Sequence, residues 1–333
     1  MKRKATNVLI SSCSAKVSLT KLFRQALPDG AGKLFVADCV PGIAARFFAD
    51  QFIAFPKDDA PDFEQQVLKA CMIHAVDLII PTRDGELPLF ARMKETLAQA
   101  GIQVLVPSSD AVAVCQDKLA FVDFCQENKL PVLPALSLKD VSTFPLFVRP
   151  RQGSGSQSVA TIKDQKALQN WTYVQGRNWS NNWILQAFCS DPEYSIDLLM
   201  DLKGRPLQAV ARIREKIVNG ESWVTKVVSV PELEQQAMQL GEKLGLVGHN
   251  VIQAFYKEET GPRFIEVNPR FGGGSALSVT AGLNSAQRIL QMVNGDGEPS
   301  GRGEIHYGMR AYKYTVDHIE YGTDVHDNSQ LLY

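Results

Sequence analysis

The sequence contains no run of 18 or more apolar residues, which excludes a membrane-spanning helix. It has no excess of either charge. Its 35 Lys and Arg stand against 36 Asp and Glu, a formal net charge of -1. No global electrostatic footprint for nucleic acid or an anionic membrane follows, so neither is expected as a partner. The six cysteines, at 13, 39, 71, 115, 125 and 189, form no CxxC pair, which argues against a zinc or disulfide framework. Each sits in an apolar context and reads as a reduced core thiol of a cytoplasmic protein. The five histidines, His74, His249, His306, His318 and His326, show no metal-ligand spacing and read as structural or exposed. A signal peptide is not expected either: after the charged start only Val8, Leu9 and Ile10 precede Ser11 and Ser12, too short for its apolar region. Internal repeats and low-complexity stretches are also missing. What remains is an ordinary globular composition, 45% apolar and 21% charged over 333 residues, enough for about two domains.

Up to Pro107 the chain alternates short apolar strands (7–10, 33–38, 51–55, 76–81, 104–107) with helical stretches (19–26, 64–75, 88–101). That alternation predicts a parallel, doubly wound α/β sheet. Ligands of such sheets bind beyond the carboxyl ends of the strands, where Thr82, Arg83, Asp84 and Glu86 fall. Ser11, Ser12, Cys13 and Ser14 follow the first strand without the glycines of a dinucleotide fingerprint. The pattern then changes. A helix over 117–128 leads to a strand over 144–150, a Gly/Ser loop over 151–158 and a strand over 159–162. Strand, loop, strand is neither a Rossmann nor a Walker arrangement. Trp171, Tyr173, Trp179 and Trp183 read as the packing of a small subdomain. Later strands (183–188, 194–201, 206–214, 223–228, 250–257, 263–267) look antiparallel, helices are expected over 232–244 and 285–294, and a last strand over 309–316.

Three groups of residues can carry chemistry, each with a plainer alternative. Gly153, Ser154, Gly155 and Ser156 can cradle phosphate oxygens with backbone N–H groups, or simply form a hairpin loop. Arg149 precedes the loop, and Lys118 can add a second cation. Glu266 and Asn268 are two apart on a strand and share a face with Gln253 of its hairpin partner. A carboxylate with amide oxygens suits Mg²⁺, though the same pattern fits a solvated strand face. Arg270 falls on that face if the strand persists past Pro269. Arg212, Arg214 and Lys216 form either a surface stripe or the cations that a triphosphate requires.

The stretch Arg263-Phe264-Ile265-Glu266-Val267-Asn268-Pro269-Arg270-Phe271-Gly272-Gly273-Gly274 resembles the "FIE(I/V)NPRFGGG" signature of the ATP-grasp superfamily, in its carbamoyl phosphate synthase-like and carboxylate–amine ligase branch. Asp117-Lys118, the 144–150 strand with its loop, and Gln186-Ala187-Phe188 followed by Glu193-Tyr194-Ser195-Ile196-Asp197 are similar to further family motifs in the same order. The resemblance covers about residues 5 to 300. It implies a pre-ATP-grasp domain (1–113) and an ATP-grasp domain (114–300) of two α+β subdomains, a lid (114–185) and a larger part (186–300), with an extension (301–333). It further implies that Lys118 and Arg149 contact the nucleotide phosphates and that the 153–156 loop closes over them. Gln186, Ala187, Phe188 and Cys189 would hold adenine and Glu193 the ribose. Gln253, Glu266 and Asn268 would hold one or two Mg²⁺, or Mn²⁺ in its place. Arg270 would stabilise the acyl phosphate and its transition state, and Arg212 or Arg214 would face the γ-phosphate or the acceptor carboxylate. This sequence departs from many members at Arg149, where they have Lys, and at Gln186, where they have Glu.

The expected activity is therefore an ATP-dependent ligase that activates a small carboxylic acid as an acyl phosphate and joins it to an amine. Bicarbonate phosphorylation and a nucleotide-binding subunit without catalysis are the alternatives. Asp84, Glu86, Gly273 and Ser275 are candidate substrate contacts, although Asp84 and Glu86 suit helix capping equally well. A homodimer is compatible with the family.

Overall fold

The computed structural model describes residues 5–27, 30–153, 158–295 and 301–319. The chain opens with β1 (Val8–Ser11), α1 (Val17–Ala26), β2 (Leu34–Asp38), β3 (Gln51–Ala54), α2 (Phe63–Ile73), β4 (Leu78–Ile80), α3 (Leu87–Gln99) and β5 (Gln103–Val104). The strands pair in parallel in the order β3-β2-β1-β4-β5. Both faces of this sheet are covered, which is why β1, β2 and β4 are buried at every position and read as unbroken apolar runs. The order reverses between β1 and β4, so a crevice opens where the turn after β1 meets the turn after β4.

Next come α4 (Ser109–Gln116) and α5 (Lys118–Glu127). Ser108 caps α4 through Ala111 N–H, and Asp117 caps α5 through the N–H groups of Leu119 and Ala120. A three-stranded antiparallel sheet, ordered β7-β6-β8, follows from β6 (Leu146–Pro150), β7 (Ala160–Ile162) and β8 (Trp183–Ala187), with α6 (Gln165–Gln175) between β7 and β8. Sequence pattern gave no helix at α6, where only Leu168 is buried and no apolar stripe develops. The Asp164 cap on Ala167 N–H is what starts it. Trp171 meets Trp179 and Trp183 edge to face, at 5.5 Å in each case, whereas Tyr173 is exposed and takes no part in that packing.

The large sheet is built from β9 (Glu193–Met200), β10 (Pro206–Val218) and β11 (Glu221–Val228). After α7 (Pro231–Leu244) it continues with β12 (Gly248–Lys257) and β13 (Gly261–Asn268). Beyond α8 (Ser275–Ser278) and α9 (Ser285–Val293), β14 (Arg310–Tyr312) returns to pair with β11, and the antiparallel order is β13-β12-β9-β10-β11-β14. Pro231 starts α7, and Gly245 ends it at φ 63°, a conformation glycine adopts without steric cost. Val8, Ile10, Phe23 and Leu34 of the parallel domain share one core with Leu199, Val210, Val227 and Phe271 of the large sheet. Phe23 and Phe271 meet edge to face at 5.7 Å across that boundary. The two parts are therefore joined by continuous apolar packing. Among the described residues, no helix is long and apolar enough to cross a membrane. Of the cysteines, 13, 71, 115 and 125 are buried as expected, but Cys39 is exposed and Cys189 half-buried, so the core reading fails for those two.

Candidate functional site

A cavity of about 850 Å³ lies between the three-stranded sheet and the large sheet, with Lys16 of the parallel domain also lining it. Lys118, Arg149, Gly153, Gln186, Ala187, Phe188, Cys189, Glu193, Arg212, Arg214, Gln253, Glu266, Asn268, Arg270 and Gly273 all line it. Ser154, Gly155 and Ser156 lie outside the described residues.

At one end Lys118 opens α5 and its Nζ donates to Gly153 O at 2.7 Å. Burial lowers its pKa, against the pull of Glu266. Arg149, on β6, is 6% exposed. Its Nη2 donates to Ile265 O at 2.9 Å, its Nη1 lies 3.8 Å from Glu266 Oε2, and its Nε has no partner among the described residues. Burial lowers its pKa as well. Two cations short of anions in a desolvated wall are an arrangement that favours an anionic ligand.

Gln186 donates from Nε2 to Leu133 O at 2.7 Å, which leaves Oε1 buried and unpartnered among the described residues. A buried acceptor of this kind is costly unless a ligand N–H meets it. Glu193 begins β9 and pairs with Arg214 Nη1; burial raises its pKa even though Arg214 opposes the shift.

The oxygen face is set by register. Gln253 on β12 lies directly opposite Glu266 on β13, with a bulge just after Gln253. Asn268 Nδ2 is 3.3 Å from Glu266 Oε1, and its Oδ1 accepts from Arg270 Nη2 at 3.1 Å. Gln253 Oε1 accepts from Arg214 Nη1 at 3.3 Å. Among the described residues no three His, Cys, Asp or Glu side chains gather into a metal cluster. One carboxylate with two amide oxygens fits a hard cation that keeps waters and takes oxygens from its ligand; a soft transition metal is not suited to it.

Arg212 is 1% exposed. Its Nε donates to Asp197 Oδ2 at 2.5 Å and to Ser278 Oγ at 3.0 Å. Asp197, fully buried, also accepts from Ser275 Oγ at 2.6 Å and Ser278 Oγ at 2.5 Å, and its Oδ1 lies 3.0 Å from His249 Nε2. Burial alone would raise its pKa, but Arg212 and His249 hold it well below the usual carboxylate range. His249 stacks on Phe271 at 4.1 Å and so fixes the start of the glycine-rich segment. A Cβ on Gly274 would lie 2.7 Å from Arg212 Nη1, so a glycine lets the guanidinium rest against the backbone there. The predicted three-residue stripe is shorter than expected: a register shift between Arg214 and Lys216 interrupts β10, and Lys216 is exposed outside the cavity.

The substrate candidates fare differently. Asp84 does not line the cavity; it holds Arg270 with two bonds, Nε to Oδ1 at 2.6 Å and Nη2 to Oδ2 at 2.5 Å. Glu86 is 2% exposed and accepts from Ser12 Oγ and from the N–H groups of Thr82 and Arg83, which is the capping role. Ser275 is spent on Asp197 and Gly272 N–H. These three are supports behind the wall, because their polar atoms already have protein partners. Of that set, only Gly273 lines the cavity. Sequence reasoning also missed Lys16, Glu221 and Lys313, which do line it. Lys16 carried a signal, its place in the turn after the first parallel strand, but no motif surrounds it.

Residues 180–316 match the family model "ATP-grasp in the biosynthetic pathway with Ter operon". Fold, motif and site agree with that match on the class: residues 180–316 are an ATP-grasp unit. More particularly, residues 8–105 match the PylC-like N-terminal domain, so that module stands ahead of the ATP-grasp unit. The carbamoyl phosphate synthase large chain of Gemmatimonas aurantiaca is 25% identical over 211 residues, 58% of this chain and 19% of that protein. The chain thus spans about a fifth of this curated relative. Among solved structures, the biotin carboxylase domain of Hydrogenobacter thermophilus 2-oxoglutarate carboxylase, a dimer in complex with MgADP, ADP and bicarbonate, superposes with a TM-score of 0.71 at 12% identity. The match covers 92% of this chain and 74% of that one. The L-amino acid ligase from Bacillus licheniformis gives a TM-score of 0.65 at 21% identity, over 93% and 79%.

Proposed function

We propose that the chain is an ATP- and Mg²⁺-dependent ligase that phosphorylates a small carboxylic acid and passes the acyl group to an amine, releasing ADP and phosphate. The observation that carries this reading is one cavity that brings together two desolvated cations sharing the single carboxylate of Glu266, an amide acceptor unpartnered among the described residues, and the Gln253, Glu266 and Asn268 face. Gln186, Ala187, Phe188 and Cys189 hold the base, Glu193 the ribose, and Lys118 and Arg149 the phosphates. Gln253, Glu266 and Asn268 would hold the metal, which when bound would supply charge neutralisation for the triphosphate. A carboxylate is a poor electrophile, and its acyl phosphate supplies a good leaving group. Arg270, fixed by Asp84, and Arg212, fixed by Asp197, stabilise charge on the transferred group without moving. The domain limits at 113 and 300, and a homodimer like that of the biotin carboxylase domain, belong to the same proposal.

The test is ADP release with Mg·ATP and a panel of acids and amines. Turnover should require both an acid and Mg²⁺. It should fall by roughly a hundredfold or more in Glu266→Ala or Asn268→Ala while the fold survives. Undiminished turnover in either variant would count against the assignment. The names of the carbamoyl phosphate synthase and biotin carboxylase relatives favour a second reading, phosphorylation of bicarbonate. Bicarbonate alone would then stimulate ADP release with no added acid.

A further inference from the structure

We propose that Lys16 anchors a second negative charge on the substrate, so that the site takes an acid carrying an anionic group in addition to the carboxylate to be phosphorylated. This rests on the ligase reading and names its substrate class. The support is the charge balance at the cavity end nearest the parallel domain. Arg212 is neutralised by Asp197, Arg270 by Asp84, and Lys313 by Glu221. Lys16 lines the same space, and among the described residues it has no side-chain hydrogen bond and no acidic oxygen within ion-pair reach. One positive charge is therefore left over.

Lys16 is also held in place. Its N–H donates to Cys13 O at 2.9 Å, and its carbonyl accepts from Thr20 N at 2.9 Å and Thr20 Oγ1 at 3.0 Å, which locks the turn between β1 and α1. The shared core around Phe23 and Phe271 then fixes that turn against the glycine-rich segment. Arg270 bonds Asn268 of the oxygen face and is the side chain whose charge acts most on Lys16. Lys16 thus stands near Arg270 in the same cavity, and among the described residues no hydrogen bond or ion pair joins it to the oxygen face, which leaves it placed for another anion on the same molecule. Burial lowers the pKa of its ammonium, an unfavourable state that an incoming anion relieves. A single carboxylate would leave Lys16 uncompensated, and a neutral side chain there would add desolvation with no ionic partner.

The experiment uses matched probes with and without the second charge: glutamate against glutamine, and glutarate against pentanoate. Binding to the full chain is measured by calorimetry with Mg·ADP present. Wild-type protein should prefer the member of each pair with two carboxylates by about tenfold or more, the scale of one charge-assisted bond. Lys16→Met should reduce that preference to about twofold or less, and Lys16→Arg should keep most of it. A cooperative melting transition shows that each variant is folded. Equal binding of paired acids by the wild type, or a preference that survives in Lys16→Met, overturns the proposal. Failure of the wild type to bind Mg·ADP in the same titrations would strike the ligase reading, so the two failures are read separately.

Discussion

Lys16 and Asp197 are charges kept away from water in opposite ways, and pH separates them. Burial pushes the Lys16 ammonium down to about 8; Arg270 and Lys313 add to this, while Asp84 and Glu221 oppose it. A folded-state value below the unfolded one means that the unfolded chain holds more protons between about 8 and 10.4. Stability from this group therefore increases as pH rises through that window, and at pH 7 its full cost is present. Lys16→Met should raise the Tm of the free protein at pH 7, measured by calorimetry, even as it weakens selectivity. Binding runs the other way, because the second anion needs the ammonium: the preference for glutamate over glutamine should decline as pH rises past about 8. Asp197 has its folded value depressed. Its contribution is present above the unfolded value of about 3.9, declines as pH falls below it, and is gone only below the much lower folded value. Asp197→Asn strands Arg212 in the interior and should cost about 3–5 kcal/mol in urea unfolding at pH 7. The loss should be smaller at pH 3. The role of neither residue could be read from the sequence. The partners of Asp197 at 212, 249, 275 and 278 are brought together only by tertiary structure, and Lys16 gains meaning only from the three neutralised cations around it.

Among the elements, the β12–β13 hairpin and the glycine-rich segment after it carry most of the site, and they were also the most legible part. Two-residue alternation fixes which side chains share a face, so Glu266 and Asn268 could be placed beside Gln253 before any coordinates, and the register agrees. The parallel domain was equally legible, since strands buried on both faces leave unbroken apolar runs. What sequence left out was α6, with a single buried residue, and the break in β10 that turns Lys216 away. The glycines have a sharper meaning in the structure than in the sequence. Gly274 gives Arg212 its resting place, so Gly274→Ala should displace the guanidinium by a few tenths of an ångström or more. We expect the ADP-forming kcat to fall by roughly ten- to a hundredfold, because small misplacements at a reacting centre are costly. The Tm should change little, and an unchanged kcat would show that Arg212 takes no part in the transfer.

At the scale of the whole molecule, the parallel domain supports the site as well as covering it. Asp84 projects from the turn after β4 to hold Arg270, 186 residues away, and the shared core keeps that reach constant. Asp84→Asn keeps the shape but weakens the paired bonds. It should lower kcat for ADP release more than it raises KM for the acid if, as proposed, Arg270 acts on charge that develops during transfer. An effect on KM alone would instead make Asp84 a ground-state contact. The sequence placed Asp84 at the ligand-binding edge of the sheet but could not say that its partner would be an arginine of the other domain. The expectations for turnover and selectivity depend on a nucleotide with its metal occupying the cavity between Lys118, Arg149 and the Gln253, Glu266 and Asn268 face. Calorimetric titration of the wild type and Glu266→Ala with ADP, with and without Mg²⁺, tests that most directly. The account predicts wild-type binding that tightens with Mg²⁺ and a Mg²⁺ effect that disappears in Glu266→Ala; a Mg²⁺ effect of equal size in both proteins would contradict it.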